Sequence, residues 1–272
     1  MEEYEKTIIP HIEAIYGSFT ALERNIADFF IHNTQEADLS SRHVAQLLFV
    51  SEATLSRFAK KCGYRGYREF VFHYEQGGRP ANHAPASNDL KTVMDNYQEL
   101  LNKSYSLMDQ AQVERIVRTL ILSRRIYVYG KGSSGLAGME MKLRFMRIGV
   151  NIEAITDGHI MRMNSALVDE DCAVIGISVS GKTGEVIDGL RLAARNHAHV
   201  ILMTSHIEQS FHAFCDEIML FAVKENLSAG KVISPQFPIL VMVDTLYSMM
   251  MHSDEARRRA LHESTLEVLE EK

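Results

Sequence analysis

Residues 126–135 (IYVYGKGSSG) and 173–185 (AVIGISVSGKTGE) decide how this sequence folds. In each, a short run rich in β-branched and apolar residues ends in a loop of glycines and hydroxyls, and a helical pattern follows. Further β-rich runs at Ile152 to Ile155, His199 to Thr204 and Ile218 to Val223 alternate with helical segments. That alternation predicts βαβ units and a mainly parallel five-stranded sheet covered by helices on both faces. Ligands of such open sheets bind at the carboxyl ends of the strands, where both loops fall.

The chemistry of the two loops points to an anion. Gly130 to Gly135 permits a tight turn and close approach of a ligand, and Ser133 and Ser134 bring hydroxyls to the start of a helix running to about Arg147. In Ser178 to Glu185, Ser178, Ser180 and Thr183 are clustered hydroxyls and Gly181 allows a sharp bend. The helix that follows aims backbone N–H groups and its positive dipole end at the same place. Gly132, Ser133, Ser134, Ser178, Ser180, Gly181 and Thr183 are therefore the candidate phosphate-binding set.

Two familiar patterns overlap these loops. Gly130, Gly132 and Gly135 satisfy G-x-G-x-x-G, with Asp157 placed for a ribose contact, but a dinucleotide site leaves the second hydroxyl-rich loop unexplained. Gly176 to Thr183 (GISVSGKT) matches the Walker A expression, yet Gly176 falls among strand residues, which leaves too short a loop to wrap a β-phosphate. A plainer reading has the serines cap two helices.

Outward from the sheet, Gln76 to Asp89 (QGGRPANHAPASND) lacks large apolar residues and reads as a linker over 77–89. It separates an all-α module, 1–76, from a second domain, 90–272, in which a helical stretch runs from Leu90 to Ser123. The tail from Pro238 to Glu271 returns to helix with a break near Ser253. The chain is thus α+β in two domains.

In the first module, Leu22, Ile26, Phe29 and Phe30 share one helical face between Phe19 and Phe30. Two shorter helical patterns follow, Arg42 to Leu48 and Glu52 to Cys62, joined by Phe49-Val50, with Ser51 suited to cap the second. On that second helix Leu55, Phe58, Ala59 and Cys62 face a core, leaving Glu52, Thr54, Ser56, Arg57, Lys60 and Lys61 outward. Between Ser41 and Arg68 six positive residues (Arg42, Arg57, Lys60, Lys61, Arg65, Arg68) stand against Glu52 alone, in a chain of net charge −6. A local basic face on an acidic protein fits a helix-turn-helix that neutralises phosphates at one place. Arg42, Ser51, Glu52, Thr54, Ser56, Arg57, Lys60, Arg65 and Tyr67 are the candidate DNA contacts. A solvated basic face on a helical dimerisation module is the plainer alternative.

At 272 residues and 46% hydrophobic the chain buries a sizeable core. Cys62, Cys172 and Cys215 are scattered and odd in number, which suggests neither a disulfide framework nor a thiolate metal site. The amino terminus (MEEYEKTIIPHIEAIY) is acidic and broken by Pro10, and no apolar run approaches the roughly 20 residues that cross a bilayer. A soluble cytoplasmic protein is expected, with no membrane partner.

The pairing of the helical module with GKGSSG and ISVSGKT resembles the RpiR family of bacterial regulators, which join a helix-turn-helix domain to a sugar isomerase (SIS) domain. The resemblance covers nearly the whole chain; its most specific segments are Ser51 to Gly66, Gly130 to Gly135, Lys142 to Gly149 (KLRFMRIG) and Ser178 to Thr183. It implies that Ser133, Ser134, Ser178, Ser180 and Thr183 contact a phosphate or adjoining sugar hydroxyls. It also implies a homodimer or a dimer of dimers, double-stranded operator DNA as partner and a sugar phosphate as effector. The match around Glu225 is too loose to assign that residue.

SIS folds also serve isomerases and lyases, so a phosphosugar enzyme with an appended helical domain is the rival reading. Catalysis at a sugar carbonyl needs a base near the carbon-bound proton. His159, His197, His199, His206 and His212 are scattered without H-x-x-x-H or H-E-x-x-H spacing, and no cluster has the spacing of metal ligands. No catalytic residue, metal or cofactor is expected.

Overall fold

The computed structural model describes residues 8–33, 38–76, 89–226 and 233–270. The chain divides into two compact units, Met1–Leu107 with Ala222–Ile233, and Met108–Phe221 with Ser234–Lys272.

The first unit is helical: α1 (Ile9–Ile15), α2 (Ala21–His32), α3 (Ser41–Leu47), α4 (Glu52–Lys61), α5 (Tyr67–Gln76) and α6 (Asp89–Leu107). Pro10, expected to break the chain, sits in the first turn of α1, where its missing N–H costs nothing. Helix α2 starts in a capping box, with the Thr20 hydroxyl accepting from the Glu23 N–H and the Glu23 carboxylate accepting from the Thr20 N–H. An aromatic cluster holds the unit together: Phe30 packs edge-on against Phe70 and Tyr74, and Phe58 packs against Phe19 and Phe70.

The sequence places the start of the second domain at residue 90, yet α6 packs with the amino-terminal unit. It lies on α1, where Lys103 Nζ is 3.1 Å from Glu13 Oε1 and 3.4 Å from Glu99 Oε1. Of the linker, 77–88 lies outside the described residues, and Asp89 opens α6.

The second unit is an α/β layer. Helix α7 (Gln110–Leu122) is followed by β1 (Arg125–Gly130), α8 (Gly132–Met146), β2 (Ile152–Ile155), α9 (Gly158–Ser165), β3 (Cys172–Ile177), α10 (Gly184–Arg195), β4 (His199–Thr204) and β5 (Glu217–Leu220). Helices α11 (Gln236–Ser253) and α12 (Glu255–Glu270) complete it, parting at Asp254 beside the expected break. All the strand pairs are parallel, in the order β2-β1-β3-β4-β5. Central β3 is buried along its whole length, as its unbroken apolar run requires. No helix among the described residues is long and apolar enough to cross a membrane.

Candidate effector site and nucleic-acid interface

The strand order reverses direction between β1 and β3, and both expected loops leave the carboxyl ends of these two neighbours. Gly130 pairs with Ile177 at the end of the ladder, so Lys131 and Ser178 depart side by side. That is the topological switch point at which open α/β sheets take their ligands.

Four residues bind the second loop into one shape. The Ser178 hydroxyl donates to Thr183 Oγ1 at 3.0 Å and accepts from the Thr183 N–H at 3.3 Å, while Ser180 Oγ accepts from the Lys182 N–H at 3.2 Å. Gly181 takes φ +67°, and a Cβ there would lie 2.8 Å from the Phe211 ring. Only glycine fits both demands. At the end of β4 and just past it, Thr204 Oγ1 and Ser205 Oγ donate to the Val179 carbonyl at 3.2 and 2.7 Å, a support that sequence reasoning did not find.

The expected residues are not equivalent in place. Ser180 is exposed, Ser133 and Thr183 are half-buried, and Ser134 and Ser178 are buried. Neither α8 nor α10 has a side chain capping its amino terminus, so the plainer reading of the serines as caps does not describe these two helices. The first turn of α8 carries no acidic side chain, whereas in the first turn of α10 the Glu185 carboxylate accepts from its own N–H. A second feature missed from sequence is the ion pair between Lys131 Nζ and Glu185 Oε1 at 2.7 Å, which joins the two loops. Its signal was Lys131 between two loop glycines and Glu185 in the first turn of a helix. Hydrogen bonding between them raises the Lys131 amine pKa and holds the Glu185 carboxyl below its usual range.

The competing motifs fare differently. Gly176 lies inside β3, paired on both sides, and a Cβ there would meet Leu190 at 2.5 Å. The glycine serves sheet-to-helix packing and begins no phosphate loop. The Asp157 carboxylate accepts from the N–H groups of His159 and Ile160 as the cap of α9, bonds that hold its pKa down. Glu225 is exposed in the single turn Lys224–Asn226. His159, His197, His199 and His212 are exposed, and His206 bonds the Ser205 hydroxyl. Among the described residues no three His, Cys, Asp or Glu side chains group to hold a metal ion.

In the helical unit, α3 and α4 meet through the Phe49-Val50 turn as expected. The Ser51 hydroxyl accepts from the Thr54 N–H at 3.1 Å and caps α4, and the Ser41 hydroxyl donates to Glu52, tying the two helix starts together. Arg42, Ser51, Glu52, Arg57, Lys60, Arg65 and Arg68 are exposed, and Ser56 is half-buried.

Two expected contacts turn inward. Thr54 is 8% exposed because its hydroxyl is held by Ser51 Oγ at 2.8 Å and by the Arg57 guanidinium at 3.2 Å. Tyr67 is 7% exposed; its ring lies against Phe30 and Phe70 and its hydroxyl donates to the Leu39 carbonyl at 3.1 Å. Burial pushes its pKa up. Lys61 is exposed, as expected, and its amine pairs with Glu23 at 2.8 Å and donates to the Ser18 carbonyl. It belongs to the packing of α4 on the start of α2.

The chain thus pairs a basic helix-turn-helix, the architecture of a DNA-binding module, with a parallel α/β domain that carries hydroxyl-rich loops at its switch point. Comparison with known proteins narrows the class. Residues 6–77 match the helix-turn-helix domain of the rpiR family, and residues 119–250 match the SIS domain. A Haemophilus influenzae protein described as an uncharacterized HTH-type transcriptional regulator is 26% identical over 276 residues, covering 96% of each chain. The HTH-type transcriptional regulator HexR of Pseudomonas aeruginosa is 27% identical over 210 residues, covering 74% of each. Among solved structures, Vibrio vulnificus NanR complexed with ManNAc-6P has the same fold at a TM-score of 0.62 and 22% identity, covering 97% of this chain and 98% of that one. The chain belongs to the RpiR family of transcriptional regulators.

Proposed function

We propose that the chain regulates carbohydrate genes by binding operator DNA through α3 and α4, and that a sugar phosphate seated between the loops after β1 and β3 modulates that binding. The observation carrying the effector reading is the convergence of two uncapped helix starts and the hydroxyls of Ser133, Ser180 and Thr183 at the switch point. Ser178 acts by shaping the loop, through its bonds to Thr183. NanR, of like fold, is complexed with ManNAc-6P, which supports a sugar phosphate as the ligand class. Such a regulator works in the cytoplasm, where DNA and phosphosugars meet.

A homodimer is supported by two apolar stripes. Leu136, Met139, Leu143 and Met146 repeat along α8 with each more than half exposed, and Ile160, Met163 and Leu167 run along and just past α9. Both helices pack on edge strand β2. Exposed stripes of this length mark a docking surface, and a second copy with the same stripes is its natural complement.

The test is a thermal-shift screen of the full chain against a panel of pentose, hexose and hexosamine phosphates, with turnover followed by chromatography. One panel member at 100 times its dissociation constant should stabilise the chain by about 2.7 kcal/mol and be recovered unchanged. Conversion of that sugar to an isomer, or no stabilisation by any phosphosugar, contradicts the proposal.

A further inference from the structure

Helix α3 ends in a motif that normally demands glycine, yet the demanding position carries phenylalanine. The Val50 N–H donates to the Ala45 carbonyl at 2.9 Å and the Phe49 N–H to the Gln46 carbonyl at 3.3 Å, the paired bonds of a Schellman cap with Phe49 at its left-handed position, φ +55°. Helices α4, α8 and α10 end in the same pair of bonds, from Gly63 with Tyr64, Gly149 with Val150 and His197 with Ala198; the left-handed residue is glycine in the first two and the exposed, polar His197, φ +65°, in the third. At 95% exposure, Phe49 is also the most exposed large apolar side chain among the described residues. Backbone strain and a fully wetted ring both count against phenylalanine here. The side chain returns nothing within its own unit.

We propose that Phe49 is a DNA-contacting residue whose ring packs on the apolar parts of the duplex, a thymine methyl or the deoxyribose edge. This rests on reading α3 and α4 as the DNA reader. Phe49 stands two residues before the cap of α4, the helix end that enters the groove in helix-turn-helix complexes. Its exposed neighbours Arg42, Gln46, Ser51 and Glu52 are polar or charged, and Leu47 is half-exposed. A lone ring among mostly polar neighbours, on a two-helix segment whose basic residues outnumber its one acid, suits nucleic acid, whereas a protein partner calls for a continuous apolar surface like that of α8. Phenylalanine is among the side chains that read a thymine methyl.

The test uses duplexes selected by the wild-type chain from a random-sequence pool. Phe49→Gly and Phe49→Asn both tolerate the left-handed backbone and should melt at or above the wild-type temperature while binding the selected duplex roughly tenfold more weakly. Replacing each thymine in turn with deoxyuridine separates the two modes of packing. Weakening confined to one position in wild type and absent in the variants assigns the methyl; a variant defect that no replacement changes assigns the sugar edge. Wild-type affinity in both variants overturns the proposal, as does weakened binding traced by sedimentation to dissociation of the chain into monomers. Selection of no duplex by the wild-type chain defeats the DNA-reader reading beneath it, a failure distinct from that of Phe49.

Discussion

Lys131 Nζ sits 2.7 Å from Glu185 Oε1, so the loop after β1 is joined to the first turn of α10 by an ion pair at the candidate effector site. Both side chains are more than two-fifths exposed, and an exposed pair contributes little to folding. The proposed function assigns Lys131 to the ligand rather than to the fold. Lys131→Ala should leave the melting temperature unchanged and weaken binding of the phosphosugar found in the panel roughly tenfold. Calorimetric titration checks this, and an unchanged dissociation constant removes Lys131 from the site.

Glu13 has its pKa raised by burial to about 7, against an ordinary 4.5, despite the lowering influence of Lys103 and His32; Glu99 opposes them. A carboxyl raised in the folded state binds its proton more tightly there than in the unfolded chain. Its contribution to stability is full below about 4.5 and is lost as pH rises through about 7. In urea denaturation between pH 5 and 8, Glu13→Gln should remove a decline on the order of 2 kcal/mol across that window. Parallel pH profiles for wild type and variant would contradict the assignment.

The sheet was legible because its strands are nearly pure β-branched and apolar runs. Ile152–Ile155 and His199–Thr204 emerge with the bounds read from sequence, and the helical tail parts beside Ser253. Other features depended on partners distant in the chain. Helix α6 reads as part of the second domain because nothing local reveals that Lys103 meets Glu13, ninety residues away. Pro10 reads as a breaker although the first helical turn accepts it. The break between α6 and α7 carries a local sign, Asp109, whose carboxylate caps α7 by accepting from the Ala111 N–H. At the DNA face, helical spacing sets Arg57 and Lys60 outward but cannot foresee that Ser51 and Arg57 hold the Thr54 hydroxyl; for Tyr67 the sequence left a core position open beside a DNA contact, and the ring joins the aromatic cluster.

On α8, Leu143 is 57% exposed in the middle of the apolar stripe. Leu143→Asp should give a folded monomer by sedimentation equilibrium, because the proposed homodimer buries this stripe and would bury the introduced charge with it. A dimer that persists in this variant places the pairing surface elsewhere.

Arg57 and Lys60 lie on the exposed side of α4. Replacing both with Ala should cost on the order of 1 to 3 kcal/mol for each side chain that reads a base, or flatten the salt dependence of binding where the side chain meets phosphate. Wild-type affinity and salt slope in the double variant would take α4 out of the groove.

On the proposed function, a ligand at the Ser178 to Thr183 loop alters the grip of α4 on DNA. Coupling between two such sites is typically about 1 to 3 kcal/mol and requires the ligand to distinguish the DNA-competent from the incompetent arrangement. The direct measurement is the affinity of the full chain for its selected duplex, with and without the phosphosugar from the panel, in wild type and in Ser180→Ala/Thr183→Ala. The phosphosugar should shift wild-type affinity roughly five- to 150-fold and leave the double variant unmoved at wild-type basal affinity. An undiminished shift in a folded double variant, or no shift in wild type at saturating ligand, would contradict it.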